Sequence, residues 1–508
     1  MPYSTCLLLA LATHLASSNR NATAQPVGQE LPEVMEPILD RLRQLVEQCL
    51  QHRVTPADLF RFEQQLQELL RELGRVTAQW TYNRLEPEAA TLPKHVRFEA
   101  GPYTRLNKKT PQNVWTLFGQ IRLHRIGYRP TDKTGDSTIF PLALSMGLVH
   151  GATPALAERA ARFLGATGMT QSQTLQRLRE DHGVGWGVKK LRQVGEVVSA
   201  AMAEQCHETQ AAKLLEWLEQ AATSRGKHKP VLSVGRDGIT LPMRSKGGPH
   251  FEVAATGTVS VLDRRGQRLG TVYLAHTPES GQKTMSSQLT RLLREVLKRW
   301  QGPLPRLCYV TDAGDNETTY YEKELRRMKH PQTGKKLEWI RVVDYYHASQ
   351  RIWKMAEALF GQGPRTASWA RKMQKLLKKP GGVNRVLHSA ANLRALHRLG
   401  GTRLREFKKA YRYLRQRMRY MRYAEYRAVG LPLGSGVTEA ACKIVYTQRL
   451  KLSGMGWKES GAQTILNLRV LQLSDVWDAA YQRVLSQFNE AQVPGHPYRF
   501  AHEVKKAA

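Results

Sequence analysis

The 508-residue sequence is short of acid. It carries 43 Asp and Glu against 77 Lys and Arg, for a formal net charge of +34 and a pI near 10.2. Solubility needs far less charge than that, so the excess points to a polyanionic partner, nucleic acid first. Cysteine is scarce too: Cys6, Cys49, Cys206, Cys308 and Cys442 are scattered, with no C-x-x-C pair. This excludes a zinc-finger array and a disulfide framework and fits a reducing compartment. The neighbours Cys206 and His207 are a single pair and make no zinc site. Long apolar runs are also missing. No stretch of about 18 apolar residues occurs, which argues against a membrane-spanning chain. The short run CLLLALATHLASS carries His14, lacks a basic leader and falls short of a secretory signal.

What is present begins with residues 1–30, which match no pattern and are expected to be an unassigned, disordered N-terminus. Over 31–80 two amphipathic helices are predicted. Leu39, Leu42, Val46 and Cys49 recur at helical spacing, as do Leu59, Phe62, Leu66, Leu69 and Leu73 after a Thr55-Pro56 start signal. So few heptads favour an intramolecular hairpin over a dimerising coiled coil. Residues 95–145 read as a small β-containing region, with Trp115, Leu117, Ile121 and Leu123 as core candidates. Over 150–205 three short helical segments follow, from Thr153, from Ser172 and at GVKKLRQVGEVVSAAM. They resemble a helix-turn-helix unit whose third helix would present Lys189, Lys190 and Arg192 to DNA, with a plain helical bundle as the alternative.

Residues 228–348 change character. Strand-like runs at Val231–Ile239, Phe251–Leu262 and Arg268–His276 precede a helix at Lys283–Trp300, a strand at Leu307–Val310, a helix near Thr318–Met328 and a strand at Trp339–Val343. The order β-β-β-α-β-α-β is that of a ribonuclease H-like domain, an α/β fold on a mixed sheet whose first and fourth strands are neighbours. That order places Asp237 in VLSVGRDGIT beside Asp312 in LCYVTDAGD, each at a strand end. Carboxylates sharing a cleft repel one another unless a cation binds, and hard oxygen ligands suit Mg²⁺. Asp315 and Glu317 are close enough to substitute for Asp312. Asp344 and His347 are auxiliary candidates: a further ligand and a phosphate-positioning imidazole, or a hydrogen-bonded turn between strand and helix.

Residues 349–429 are helical and strongly basic. Arg405, Lys408, Arg412, Arg415, Arg419 and Arg422 step by three and four. Phe407, Tyr411, Leu414, Met418 and Met421 follow two positions later, about 200° round a helix, so one face should pack and the other meet DNA phosphates. Tyr411, Tyr413, Tyr420, Tyr423 and Tyr426 raise a covalent recombinase chemistry, but they sit in a packed basic helix without an R-H-R constellation. A third carboxylate, Glu439, follows Gly434-Ser435-Gly436. Ser435 is a candidate N-cap, and Glu439 would occupy the first turn of a helix reaching about Leu450. Lys443, Arg449 and Lys451 would flank DNA. Trp457 is a candidate stacking platform for a splayed base or a buried anchor for a helix start.

Several separated motifs are similar to one family. G-S-G-x-x-E-x-x-x-K at Gly434–Lys443, R-L-K-x-S-G-M-x-W at Arg449–Trp457 and G-A-x-x-I-L-x-L-R at Gly461–Arg469 resemble the C-terminal signature of the ISKra group of bacterial insertion-sequence transposases. Asp237 in RDG, Asp312 in VTDAGD and Asp344-Tyr345-Tyr346-His347 resemble its other blocks, the last being similar to the D-x-x-H signature of Mutator-like transposases. The resemblance spans about residues 110–480. It implies a DDE transposase that cleaves and transfers DNA strands, with Asp237, Asp312 and Glu439 ligating two Mg²⁺ ions, or Mn²⁺ as a substitute. The catalytic domain would comprise 228–348 and 430–480, interrupted by the basic helical insertion, with 481–508 as a C-terminal tail. The implied partners are terminal-repeat and target DNA and at least one further copy of the chain, with no membrane; the implied location is a bacterial cytoplasm, at the nucleoid. The alternatives are an inactive DNA-binding relative and a metal-dependent nuclease of the same fold that joins no strands.

Overall fold

The structure, a computed structural model, describes residues 30–51, 54–98, 101–131, 138–245, 247–492 and 502–503. The expectation for residues 1–30 falls outside them except at Glu30; of the expected tail at 481–508 only 481–492 and 502–503 are described, and the first of these stretches is helical rather than tail. The chain divides into two units, 1–160 with 172–194 and 486–508, and 161–171 with 195–485.

In the first unit, α1 (Leu31–Leu50) and α2 (Pro56–Arg84) form the expected hairpin, pinned by Arg41 to Glu72 at 2.7 Å. On α1 Ile38 and Leu45 are buried and Leu42 is partly buried beside them, whereas the predicted Val46 is 40% exposed. Short strands follow: β1 (His95–Phe98), β2 (Gly101–Arg105), β3 (Thr110–Thr116), β4 (Gly119–Arg125) and β5 (Tyr128–Pro130). The β3–β4 hairpin buries Val114, Ile121 and Leu123 against Leu142 of α3 (Pro141–Ser145). Trp115 and Leu117, two of the predicted core residues, are only half-buried, because a one-residue change of register sends a strand side chain to the opposite face.

Then come α4 (Pro154–Gly165), α5 (Gln171–His182) and α6 (Val188–Thr223). The third segment of the predicted helix-turn-helix is not short. No glycine or proline occurs between Gly195 and Gly226, so the helix runs for 36 residues; its residues up to Val194 belong to the first unit and the rest to the second.

The second unit is α/β on a mixed five-stranded sheet. Strands β6 (Val231–Ser245), β7 (Gly248–Leu262) and β8 (Arg268–His276) are antiparallel neighbours; β9 (Arg306–Thr311) pairs parallel with β6, and β10 (Trp339–Val343) parallel with β9. The order is therefore β10-β9-β6-β7-β8. Helix α7 (Lys283–Arg299) precedes β9, and α8 (Asp315–Lys323) follows it. Both sheet faces are covered, and strand residues alternate between two cores. Leu232, Val234, Leu307 and Tyr309 pack with α7, while Val231, Cys308, Val310 and Val342 pack with the helices after β10. Those helices are α9 (Tyr345–Phe360), α10 (Pro364–Leu377), α11 (Gly382–Leu396), α12 (Gly401–Arg417) and α13 (Tyr423–Ala428).

The basic helix expected to carry its stripe from Arg405 to Arg422 stops at Arg417 and turns through Met418–Tyr420. Beyond the turn, the Tyr423 and Tyr426 hydroxyls donate to the carbonyls of Val343 and Arg341, which draws the chain down onto β10. Then come α14 (Gly436–Ala441), a π-helical stretch at Cys442–Thr447, α15 (Gln448–Leu450), α16 (Glu459–Leu473) and α17 (Trp477–Gln492), and a short strand at His502–Glu503 pairs antiparallel with β1. Among the described residues no helix is long and apolar enough to cross a membrane.

Candidate active site

Strand register aligns three carboxylates. Val234 pairs with Tyr309, an offset of 75 positions, and the same offset separates Asp237 from Asp312 just beyond the ladder. On the other side of β9, Val343 pairs with Thr311, and the Asp344 amide donates to the Thr311 carbonyl at 2.8 Å, which brings Asp344 level with Asp312. Side-chain alternation puts Arg236 on the α7 side, bonded to Ser286 and Gln282. Asp237 therefore projects to the opposite face, the one where Cys308 and Val310 of β9 pack and Asp312 follows in phase. Burial, with Asp312 and Glu439 adding to it, pushes the Asp237 carboxyl up.

Glu439 reaches this face because a glycine lets its helix close in. Gly235 lies two residues before Asp237, and a Cβ built there would overlap Thr438 Oγ1 and stand 2.8 Å from Thr258 Oγ1. Those two hydroxyls are themselves hydrogen-bonded at 2.8 Å, which seats α14 on β7. The helix lasts six residues before the π-helical stretch, so the straight α-helix expected to reach Leu450 is interrupted. Cys442 then sits over Asp237, its Sγ donating to Oδ2 at 3.5 Å.

Ser435, the expected N-cap, makes no cap bond to its own helix. Its Oγ lies 2.8 Å from Asp344 Oδ2 and 3.3 Å from Glu439 Oε1, so its one hydrogen is directed to Asp344 or shared between the two. Asp344 is fully buried and caps α9: Oδ1 accepts from the His347 amide at 2.9 Å, and Oδ2 also accepts from the Ser435 amide. Burial pushes the Asp344 carboxyl up, yet the hydrogen bonds from His347 and Ser435 outweigh it and hold it at about 2. Asp344 thus fixes the turn between strand and helix. His347 Nδ1 lies 3.7 Å from Asp344 Oδ1 and 3.5 Å from Glu439 Oε1, and Asp344 first, then Glu439 and Asp312, hold the imidazole above its usual range. Asp344, His347 and Glu439 bring ligand atoms within 4.8 Å of one another; Asp237 and Asp312 fall outside that group.

A groove of about 580 Å³ on α12 is lined by Arg351, Arg405, Lys408, Lys409, Arg412 and Arg417, with no acidic residue. It is tied to the carboxylates through backbone. The Tyr413 hydroxyl donates to the Asp312 carbonyl at 2.5 Å, and Arg417 donates to the carbonyl of Ala313, itself at φ +61°. Arg405, Lys408, Arg412, Arg415, Arg419 and Arg422 are all exposed, whereas Phe407, Leu414 and Met421 are buried. Of the six cations, Arg419 and Arg422 lie past the break and pair with Glu322 and Glu425 at 3.6 Å. The tyrosines are not nucleophiles in waiting: Tyr413, Tyr423 and Tyr426 donate to backbone carbonyls, and burial pushes Tyr413 and Tyr426 up to about 12.

Other predicted contacts divide. Lys443 and Lys451 are exposed, as are Lys189 and Arg192 in the first unit, where Lys190 Nζ donates to the His150 carbonyl. Arg449 is a correction. It is fully buried, its Nε donates to the Leu164 carbonyl at 3.0 Å, and burial lowers it to about 10, so it faces no phosphate. Trp457 lies beside it; its indole N–H donates to the Leu450 carbonyl at 2.9 Å, and its backbone bridges Met243. The anchoring reading of Trp457 therefore describes its setting, at a helix end rather than a helix start. Not singled out from the sequence were Cys442, Gly235, Arg351, Lys409 and Arg417, whose roles depend on distances between segments far apart in the chain. No protein-family model matches the chain, and no curated protein does.

Proposed function

We propose that the chain is a DDE transposase similar to the ISKra group, a metal-dependent DNA-cleaving and strand-joining enzyme on a ribonuclease H-like domain. The observation that carries this is the shared register of Asp237 and Asp312 on adjacent parallel strands, with a groove of six cations and no acid hydrogen-bonded to the same loop. The strand order β10-β9-β6-β7-β8 also supports the finer fold reading.

The donor set fits a hard divalent cation: several carboxylates converge, and burial disfavours their charge unless a cation accompanies it. Asp237, Asp312 and Glu439 would hold two Mg²⁺ ions, or Mn²⁺. Bound there, the ions would activate water and then the freed 3′ hydroxyl, and stabilise the leaving oxygen in an in-line displacement at phosphorus. The chain's own groups do the rest. Arg405, Lys408, Lys409 and Arg412 hold the DNA backbone, and Arg417 and Tyr413 fix the loop that carries Asp312. His347, kept protonated more of the time by Asp344, meets a phosphate oxygen beside Glu439. No side chain forms a bond to DNA. Two DNA ends must be brought together, so the working form is at least a dimer, in a bacterial cytoplasm.

Purified protein with labelled element ends and Mg²⁺ tests this. Nicking with joining supports the proposal, nicking alone leaves a nuclease, and binding alone leaves an inactive relative. Asp237→Ala, Asp312→Ala and Glu439→Ala should each abolish cleavage while binding survives; wild-type cleavage by any one of them removes that residue from the triad.

A further inference from the structure

We propose that Glu317 is a further metal-ligating carboxylate, forming with Asp237 and Asp312 one cation-binding face of the site and leaving Glu439 with His347 on the other. The proposal rests on the reading that the site holds divalent metal. Glu317 occupies the first turn of α8 and is 8% exposed. Among the described residues no cation pairs with its carboxylate and no other side chain donates to it. The Tyr309 hydroxyl bonds to its backbone carbonyl instead, at 3.1 Å. Arg236 acts on it electrostatically but directs its own donors to Ser286 Oγ at 3.0 Å and Gln282 Oε1 at 2.9 Å. The carboxylate accepts from its own amide, yet burial still raises the cost of its charge.

Its direction is fixed by Gly314. A Cβ built on that glycine would overlap Glu317 Oε2 and touch Asp312 Oδ1 at 3.4 Å, so both carboxylates converge on the space above it. Gly314 has φ −61°, open to any residue, so what it provides there is room. Burial first, then Asp312 and Asp237, push the Glu317 carboxyl up, so three acids feel one another. Asp344 offers no comparable donor, since both its oxygens already accept hydrogen bonds from His347 and Ser435. The three carboxylates, from two strand ends and one helical turn, do not have all their ligand atoms within 4.8 Å of one another as Asp344, His347 and Glu439 do, so a cation would have to draw them in; the hard oxygen they offer suits Mg²⁺ or Mn²⁺.

The test is Mn²⁺ binding to the full chain without DNA, read by water-proton relaxation, with circular dichroism as the check on folding. Glu317→Gln should weaken binding by at least about 10-fold, as should Asp312→Asn, since losing even a hydrogen-bonding partner of a ligand costs about 10- to 100-fold. Gly314→Ala, whose backbone is unstrained, should weaken it similarly by displacing the Glu317 carboxylate. In a Glu317→Ala background, Gly314→Ala should add nothing. If Glu317→Gln and Gly314→Ala bind Mn²⁺ like wild type while Asp312→Asn does not, the metal site stands and Glu317 is not part of it. If wild type binds no Mn²⁺ at millimolar concentration, or Asp312→Asn binds as well as wild type, the metal reading itself is wrong and Glu317 falls with it. Should Glu317→Gln not fold, Gly314→Ala decides.

Discussion

Gly235→Ala is the sharpest single perturbation of the proposed site. The strand geometry at Gly235 suits alanine, since it pairs regularly with Thr258 and needs no left-handed backbone. Only space opposes the substitution. The new Cβ would overlap Thr438 Oγ1 and sit 2.8 Å from Thr258 Oγ1 and 3.1 Å from Thr438 Cβ. Restoring ordinary van der Waals separation means lifting α14 by about 1 Å or more, at an overpacking cost of about 1–3 kcal/mol. Glu439 follows Thr438 directly, so it moves with the lift, while Asp237 and Asp312 stay on their strands. A displacement of about 1 Å in a reacting constellation is worth roughly 10²-fold in rate. Cleavage of labelled ends should fall by about that factor, with urea unfolding showing only the modest stability loss. Thr438→Ala in the same chain removes the obstructing hydroxyl and should restore much of the rate. Wild-type cleavage by Gly235→Ala, or a double variant no better than the single, would refute the seating of α14 on that glycine.

Arg405→Ala with Lys408→Ala and Arg412→Ala should flatten the salt dependence of DNA binding by about 0.9 in log–log slope for each phosphate no longer neutralised; an unchanged slope takes the groove out of the interface. Arg449→Met should leave that slope unaltered and stability equal or higher, because it replaces a buried guanidinium whose Nη atoms have no partner; a flatter slope would return Arg449 to the DNA. Asp344 has its carboxyl near 2 in the fold against 3.8 ordinarily, so its contribution is full above pH 4 and lost as pH falls from 4 to 2. The stability gap between wild type and Asp344→Asn should therefore narrow by about 2 kcal/mol across that window, and a gap constant from pH 5 to pH 3 in urea titrations would contradict the assignment.

The sheet was legible in the sequence because buried strands are written as short apolar runs. The spacing from Val234 to Asp237 equals that from Tyr309 to Asp312, which is why the two aspartates come level. Glu439 was legible only as a motif. Its arrival depends on the fit of Gly235 to Thr438, and a glycine in a strand does not announce which neighbour it admits. Arg449 was misread because its charge resembles any other cation in a basic chain. A signal was present: Ala441, Cys442, Val445, Tyr446 and Leu450 line the buried side of the same segment, and Arg449 shares that side. The break at Arg417 was hidden for a different reason. The stripe of basic residues continues past it, but the chain turns there and the hydroxyls of Tyr423 and Tyr426 reach carbonyls on β10.

The bonds from Tyr413 and Arg417 to the backbone of Asp312 and Ala313 carry a thermodynamic consequence. The groove wall and the carboxylate loop share one segment, so whatever fixes α12 also fixes Ala313 in its left-handed conformation. On the proposed function, DNA in the groove and a cation at the carboxylates would be coupled ligands. The factor by which DNA tightened cation binding would be the factor by which the cation tightened DNA, so the cation would be held most firmly with a substrate in place.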